Sequence, residues 1–256
     1  KKVKFMIYVT GDTHGDFKRF SKKNYGTILN ENDIVIILGD MGLLWSKDKE
    51  FNYWCEFFKE KPWLTLFIDG NHENFNMLEE YPIEVWNGGK IRQIVKDKVL
   101  HLERGQVFTI ENKTFFTMGG ASSKDIEGGI LDREDELFKF KKKDLKRKHL
   151  NFRILNESWW EQELPNKTEL EEGIFNLQKN NNQVDYILTH CTSNYIQQKI
   201  NELYHSKKMN EDILTNYFDG IEDTINYKQW YFGHYHEDIK IDDKHILCYK
   251  NLIPLI

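Results

Sequence analysis

The chain has 256 residues, a formal net charge of −5 at pH 7 and an isoelectric point near 6.0. That length suits one substantial α/β domain, and with only four prolines and no Ser-, Gly- or Pro-rich linker a single domain over residues 1–256 is expected. The acidic balance argues against general avidity for nucleic acid or an anionic membrane. Apolar runs such as Ile34 to Leu38 fall far short of the roughly 20 residues of a membrane helix, so a soluble, cytoplasmic protein with no membrane partner is expected.

The N-terminal run from Lys1 to Thr10 begins basic and turns apolar, as a secretion signal does. Its apolar part is short, broken by Lys4, and runs straight into Gly11-Asp12-Thr13-His14, so it reads as a first strand over about Val3 to Val9. Asp16 is placed to cap a short helix carrying Phe17 and Phe20. Ile34 to Leu38 is apolar at consecutive positions, as in a parallel strand covered on both faces, and ends at Gly39-Asp40. Ser46 is placed to cap a helix whose Phe51, Trp54, Cys55 and Phe58 recur at helical spacing. A third strand then stops at Gly70-Asn71-His72-Glu73.

Between about Ile91 and Met118 short extended runs alternate with turns, which predicts antiparallel strands of a second sheet. Residues 119–182 leave strand patterning and read as a helical insertion. Asp132, Glu134, Asp135 and Glu136 are expected to open a helix that closes on Lys141 to Lys148, and Ser158-x-x-Glu161 and Thr168-x-x-Glu171 read as capping boxes. Val184 to Leu188 returns to a buried strand ending at His190. A polar helical stretch to about Tyr217, a strand ending at Gly233-His234-Tyr235-His236, and a hairpin across Asp242-Asp243-Lys244 complete the chain. Cys55, Cys191 and Cys248 are odd in number and widely spaced, which supports no disulfide framework and suits a reducing compartment.

A Gly-Asp after a strand is usually a turn, and a lone histidine is usually a core or surface residue. Taken together, Asp12, His14, Asp40, Asn71, His190, His234 and His236 all fall at predicted strand ends, where open α/β sheets collect ligands. Mixed oxygen and imidazole donors suit Mn, Fe or Zn better than Ca or Mg. These donors are too many for one tetrahedral or facial site, and a carboxylate such as Asp40 can bridge two ions. A pair about 3.5–4 Å apart stabilises both the attacking and the leaving oxygen at phosphorus, and brings the pKa of water from 15.7 to about 7, so that a metal-activated hydroxide is the nucleophile.

The ordered set Asp12-x-His14, Gly39-Asp40, Gly70-Asn71-His72-Glu73, His190 and Gly233-His234-x-His236 resembles the calcineurin-like metallophosphoesterase superfamily over nearly the whole chain. The resemblance implies an α/β fold, a four-layer α-β-β-α sandwich, with two divalent ions, Mn first and Fe or Zn as alternatives, at the strand ends. It implies that Asp12, His14 and His236 hold one metal and Asn71, His190 and His234 the other, with Asp40 as the bridge. His72 would then be the non-ligand imidazole that protonates the leaving oxygen or stabilises transition-state charge. Leu43 stands where the family often has an Asp that orients this histidine, and the Arg expected of protein phosphatases is missing beyond it. Gly119 to Ser123 and Ser158-Trp159-Trp160 resemble a bacterial and phage branch of the superfamily, a resemblance that names no substrate.

The expected substrate is a small phosphomonoester or phosphodiester, with the insertion placed to roof the site and Arg133 and Trp159 as candidate substrate contacts. Core packing is as good a reading of the Trp159-Trp160 pair. The lysine-rich segment 139–148 reads as a solvated helix face, since Phe138, Leu145 and Phe152 leave it one apolar stripe. A nuclease acting on single-stranded DNA or RNA is the alternative, with the acidic balance against it. A non-catalytic scaffold on the same fold would be expected to have lost metal ligands.

Overall fold

Apolar residues at consecutive positions in a strand need cover on both faces, and the fold supplies it by stacking two sheets and flanking each with helices. The structure, a computed structural model, describes residues 5–204 and 211–255. The first strands are β1 (Met6–Thr10), β2 (Asp33–Leu38), β3 (Leu64–Ile68), β4 (Ile83–Trp86), β5 (Gly89–Val95) and β6 (Val99–Leu102). After them come β7 (Gln106–Ile110), β8 (Lys113–Met118), the short β9 (Ile130–Leu131) and β10 (Arg153–Ile154), then β11 (Tyr186–Thr189) and β12 (Gln229–Phe232). The last three are β13 (Ile239–Lys240), β14 (His245–Leu247) and β15 (Ile253–Pro254). One sheet has the order β15-β1-β2-β3-β6-β5-β4 and the other β13-β14-β12-β11-β8-β7.

Ile7, Val9, Ile36 and Leu38 of the first sheet meet Phe108, Phe115, Leu188 and Tyr231 of the second in one buried cluster between the sheets. Each such side chain removed from water contributes about 1.5–3 kcal/mol. The opposite face of β2, with Val35 and Ile37, packs under helix α1 (Lys49–Lys59) and helix α2 (Phe75–Glu79). The outer face of the second sheet packs under helices that lie in the chain between β8 and β12. Four layers result, as expected. Strands β1, β2, β3 and β6 run parallel, as do β8, β11, β12 and β14, so within each sheet the carboxyl ends of these strands lie on one edge.

Several local expectations change. Helix α1 is capped by Asp48, whose Oδ1 accepts from the Glu50 and Phe51 N–H groups at 2.9 and 3.0 Å, while the Ser46 hydroxyl donates to the other Asp48 oxygen. The segment from Ile91 to Met118 divides between the sheets, because β6 pairs in parallel with β3 and draws β5 into the first sheet. Helix α3 (Phe138–Arg147) begins after the acidic run, not within it. Asp132 and Asp135 instead accept from the N–H groups of Glu134 and Leu137, local turns that compete with helix. Helix α4 (Lys167–Lys179) starts on an Asn166–Glu169 capping box, not on Thr168. Ser158 caps nothing, because its hydroxyl accepts from the Ile154 N–H.

Helix α4 also belongs to the sandwich, since Leu170 and Leu177 join the buried cluster that includes Phe218 of helix α6 (Ile213–Thr224) and Ile196 of helix α5 (Asn194–Tyr204). The expected helical insertion is therefore smaller and mixed: α3 and the two-stranded parallel β9–β10 ribbon stand outside the layers, and α4 does not.

A buried polar network ties the sheets beside the strand ends. Asp69 accepts from Arg104 at 2.6 and 2.8 Å and pairs with His101 Nε2 at 3.0 Å, while His101 Nδ1 lies 3.2 Å from Glu103. The Asp69 carbonyl receives the Gly120 N–H from the loop after β8. Burial pushes the His101 imidazole down, but its bonds to Asp69 and Glu103 outweigh this and raise it to about 9. A folded-state value above the unfolded one contributes stability that is complete below about pH 6.5 and is lost as pH rises through about 9. The unfolding free energy should accordingly fall by on the order of 3 kcal/mol between pH 6 and pH 10 in urea titrations, and H101Q should flatten that slope. Parallel pH profiles for the two proteins would remove His101 from this role.

Candidate metal centre

The loop after β1 is laid onto the loop after β2 by backbone bonds. The Asp40 carbonyl accepts from Thr13 and His14 at 3.2 and 2.8 Å, and Met41 accepts from Gly15 at 3.0 Å. Arg19 fixes the same turn from the other side, donating to the Thr10 hydroxyl and to the carbonyls of Gly11, Asp12 and Tyr249. His14, Asp40, His234 and His236 all have positive φ, at 46°, 46°, 70° and 57°. Non-glycine residues in this region store strain, and the concentration at one edge marks a site. Gly39, at φ +89°, passes so close to His190 that a Cβ would fall 2.1 Å from Nδ1, and a Cβ on Gly70 would fall 2.0 Å from Asp40 Oδ1. Both glycines let the polar side chains close in.

The strand ends converge. His236 Nε2 stands 3.0 Å from Asp12 Oδ2 and 3.0 Å from His14 Nε2, which is itself 3.7 Å from Asp12 Oδ2. Asp40 faces both ways, with Oδ2 3.8 Å from His14 Nε2 and Oδ1 3.4 Å from His190 Nε2. The ring of His234 lies 5.0 Å from that of His190, and its main-chain N–H donates to Asp12 Oδ1 at 3.0 Å. Asn71 is buried beside them with its Nδ2 donating to the Ser123 hydroxyl at 3.2 Å. Two groups, Asp12-His14-His236 and Asp12-Asp40-His190, have all their donor atoms within 4.8 Å of one another.

Burial pushes the Asp12 and Asp40 carboxyls up, but His190 beside them, with further help from His236 at Asp12 and from His72 and His14 at Asp40, holds both below the usual range. His190 is pushed down by burial, yet Asp40 and Asp12 bring it to about 10. Its Nδ1–H donates to the Leu38 carbonyl at 2.7 Å, so Nε2 is the atom turned to the centre. Burial and the His190 charge lower His234 to about 3, and burial also lowers His72. Glu73 lies fully buried behind them, where burial and then Asp40 raise its carboxyl well above normal while Oε1 accepts the Met41 N–H at 2.7 Å.

Asn71 Oδ1 is buried and takes no hydrogen bond among the described residues, and the buried Asp12 Oδ2 and His190 Nε2 face only other donors of the same cluster. Buried polar atoms without partners are expensive, and divalent cations would satisfy all three. A family comparison decides the identity of this centre: the calcineurin-like phosphoesterase model matches residues 5–238. The chain belongs to that family. As a calcineurin-like phosphoesterase it is a metal-dependent hydrolase of phosphoesters, and its clustered Asp and His donors fit metal binding. Among solved structures, it is similar to a protein of unknown function from Aquifex aeolicus at 13% identity and a TM-score of 0.29, covering 60% of this chain and 90% of that one. No curated protein matches.

Two open cavities of about 610 and 470 Å³ flank His72, which lines both. The larger carries Trp45, Trp54, Lys18 and Arg153, the smaller Lys124, Tyr204 and Tyr235. The candidate substrate contacts from the sequence need correction. Arg133 pairs with Glu157 on the exterior and lines neither cavity, because the loop after β9 turns it outward. Trp159 also lines neither, while Trp160 is core and meets Trp45 edge-on at 5.7 Å. Arg153, which sequence reasoning missed, holds Asp125 and reaches the cavity beside His72. No periodicity marks Arg153, since its place depends on β10 pairing with β9. Leu43 is core, and among the described residues no side chain hydrogen-bonds the His72 ring, whose nearest aromatic neighbour is His14 at 5.6 Å.

Gly39→Ala tests how tightly the edge is packed, with Gly88→Ala as the control. Gly88 has a similar φ of +93°, but an added Cβ there would meet only the Val107 carbonyl at 3.6 Å. Both variants incur backbone strain, and only G39A forces His190 away, so G39A should lose at least about 2 kcal/mol more in urea denaturation. Equal losses would mean that His190 has room to move.

Proposed function

We propose that this phosphoesterase carries two divalent ions, Mn²⁺ first and Fe or Zn as alternatives, and hydrolyses a small phosphoester as a single domain in the reducing cytoplasm. The observation that carries the dinuclear reading is Asp40, whose two oxygens face different histidines at 3.8 and 3.4 Å. In this reading Asp12, His14 and His236 hold one ion, Asn71, His190 and His234 hold the other, and Asp40 bridges. Such a pair, when bound, activates water and neutralises charge at phosphorus. The three cysteines are free, which suits the reducing setting.

The remaining work falls to the protein. The His72 main-chain N–H donates to Asp40 Oδ1 at 2.8 Å, so the backbone that locates the bridge also locates the imidazole. In this reading the His72 ring, which lines both cavities, donates its ring N–H to the leaving oxygen of an ester held at the centre, protonating it or stabilising its developing charge. Arg153 and Lys124 supply positive charge on either side of that position. H72A should keep both metals and slow turnover by about 10²–10⁴ for an alkyl ester. The loss should shrink for a nitrophenyl ester, whose leaving group needs little protonation, and an equal loss for both substrates would take His72 out of the acid role.

A nuclease is the competing reading, and the basic helix is its best support. Lys141 pairs with Asp135 at 2.5 Å, and Arg147 and Lys148 both pair with Asp144 at 2.6 Å, so part of that charge is met locally. No residue of α3 lines either cavity. Hydrolysis of small esters should therefore be nearly independent of salt from about 50 to 200 mM, a range in which polynucleotide contacts weaken steeply. Efficient cleavage of single-stranded DNA, lost on neutralising Lys141, Lys142 and Lys143, would favour the nuclease.

A further inference from the structure

An asparagine side chain has two ends of nearly equal shape, and only its oxygen ligates a cation. Asn71 therefore needs something that keeps Oδ1 toward the metal position and Nδ2 away. Its Nδ2 donates to Ser123 Oγ at 3.2 Å, and Ser123 Oγ lies 2.6 Å from Glu163 Oε2. Glu163 Oε1 accepts the Ser123 main-chain N–H at 3.0 Å. All three residues are buried, Asn71 at 4%, Ser123 at 6% and Glu163 at 5% exposure. The backbone holds Glu163 in place, its carbonyl accepting the Ala121 N–H and its own N–H donating to Trp160, both at 3.0 Å.

The direction of the chain follows from counting protons. A serine hydroxyl has one, and the Glu163 carboxylate can only accept, so the proton goes to Glu163. That leaves Ser123 Oγ with lone pairs alone for Asn71, and a lone pair selects the NH₂ end. We propose that Glu163 is a positioning residue for the metal centre, acting through Ser123 to lock the Asn71 amide with its oxygen toward the second ion. This rests on Asn71 being a ligand, as in the proposed function. Residues that orient ligands in this way typically affect metal affinity by about 10- to 100-fold.

Glu163→Gln keeps the shape and reverses the logic. Its amide oxygen is still required by the Ser123 N–H, so its NH₂ group faces Ser123 Oγ and donates. The hydroxyl proton then turns toward Asn71 and favours the flipped amide. Ser123→Ala instead removes the relay without reversing it, leaving a bound cation free to select the oxygen.

Calorimetric titration of metal-free protein with Mn²⁺ tests this, with the melting temperature of each metal-free variant as the check on folding. The relay predicts two ions for the parent protein, with the second weakened about 10- to 100-fold in E163Q, less in S123A, and the first unchanged in both. Unaltered affinity for the second ion in E163Q would overturn it, as would a loss in S123A equal to or larger than that in E163Q, which is the pattern of packing alone. Should E163Q not fold, S123A decides: a loss confined to the second ion supports the relay, and no loss overturns it. A single ion in the parent protein would instead defeat the dinuclear reading, and the relay with it.

Discussion

Two carboxylates, Asp12 and Asp40, are almost wholly buried against each other at the edge of the sandwich, and each raises the cost of ionising the other. Taking charged groups out of water costs several kcal/mol each unless partners are supplied. The fold supplies them in layers. The His190, His14 and His236 rings surround the two carboxylates, and the main-chain N–H groups of His72 and His234 each donate to one of them. Much of the local geometry is the cost of this arrangement: positive φ at the turns that carry His14, Asp40, His234 and His236, a Gly39 pressed against His190, and Arg19 stapling the carbonyls below. The lone pairs still left over are the ones that mark a metal centre.

The same constraint explains which parts of the molecule were legible in the sequence. A parallel strand covered on both faces must be a run of apolar residues, and the chain must turn sharply to present a carboxylate or imidazole at its end. Gly39-Asp40 and Gly70-Asn71-His72 therefore announce themselves, and the four-layer fold was expected from the family resemblance that their order carries. Helix starts were read less well, because Ser46, Thr168 and the acidic run near Asp132 offer the right side chains, while the hydrogen bonds are made by Asp48, Asn166 and local turns. The partners of β5 and β6 were misplaced for a different reason: alternation identifies a strand but not its neighbour.

Residues that act through tertiary contact left the weakest trace. Arg153 reaches the site only because β10 pairs with β9, and Glu163 reaches Ser123 from a short turn on the far side of the intervening chain. Arg133 and Trp159 looked suitable by type and are directed elsewhere. The segment between β8 and α4 thus reaches the site from two sides: Ser123 and Glu163 lie behind Asn71, while Lys124 and Arg153 line the cavities in front. With a leucine at position 43, the His72 ring has no carboxylate hydrogen-bond partner among the described residues, so its orientation depends on the backbone bond to Asp40 and on its neighbours His14 and Arg153.

The central claim is that the strand-end donors hold two ions close enough to share Asp40. Electron paramagnetic resonance during titration of metal-free protein with Mn²⁺ measures this directly, because two Mn²⁺ ions about 3.5–4 Å apart are exchange-coupled and isolated ions are not. The account predicts a coupled spectrum that grows in between one and two equivalents and collapses to an uncoupled signal in D40A. An uncoupled spectrum at every loading, or a coupled one that persists without Asp40, would contradict it.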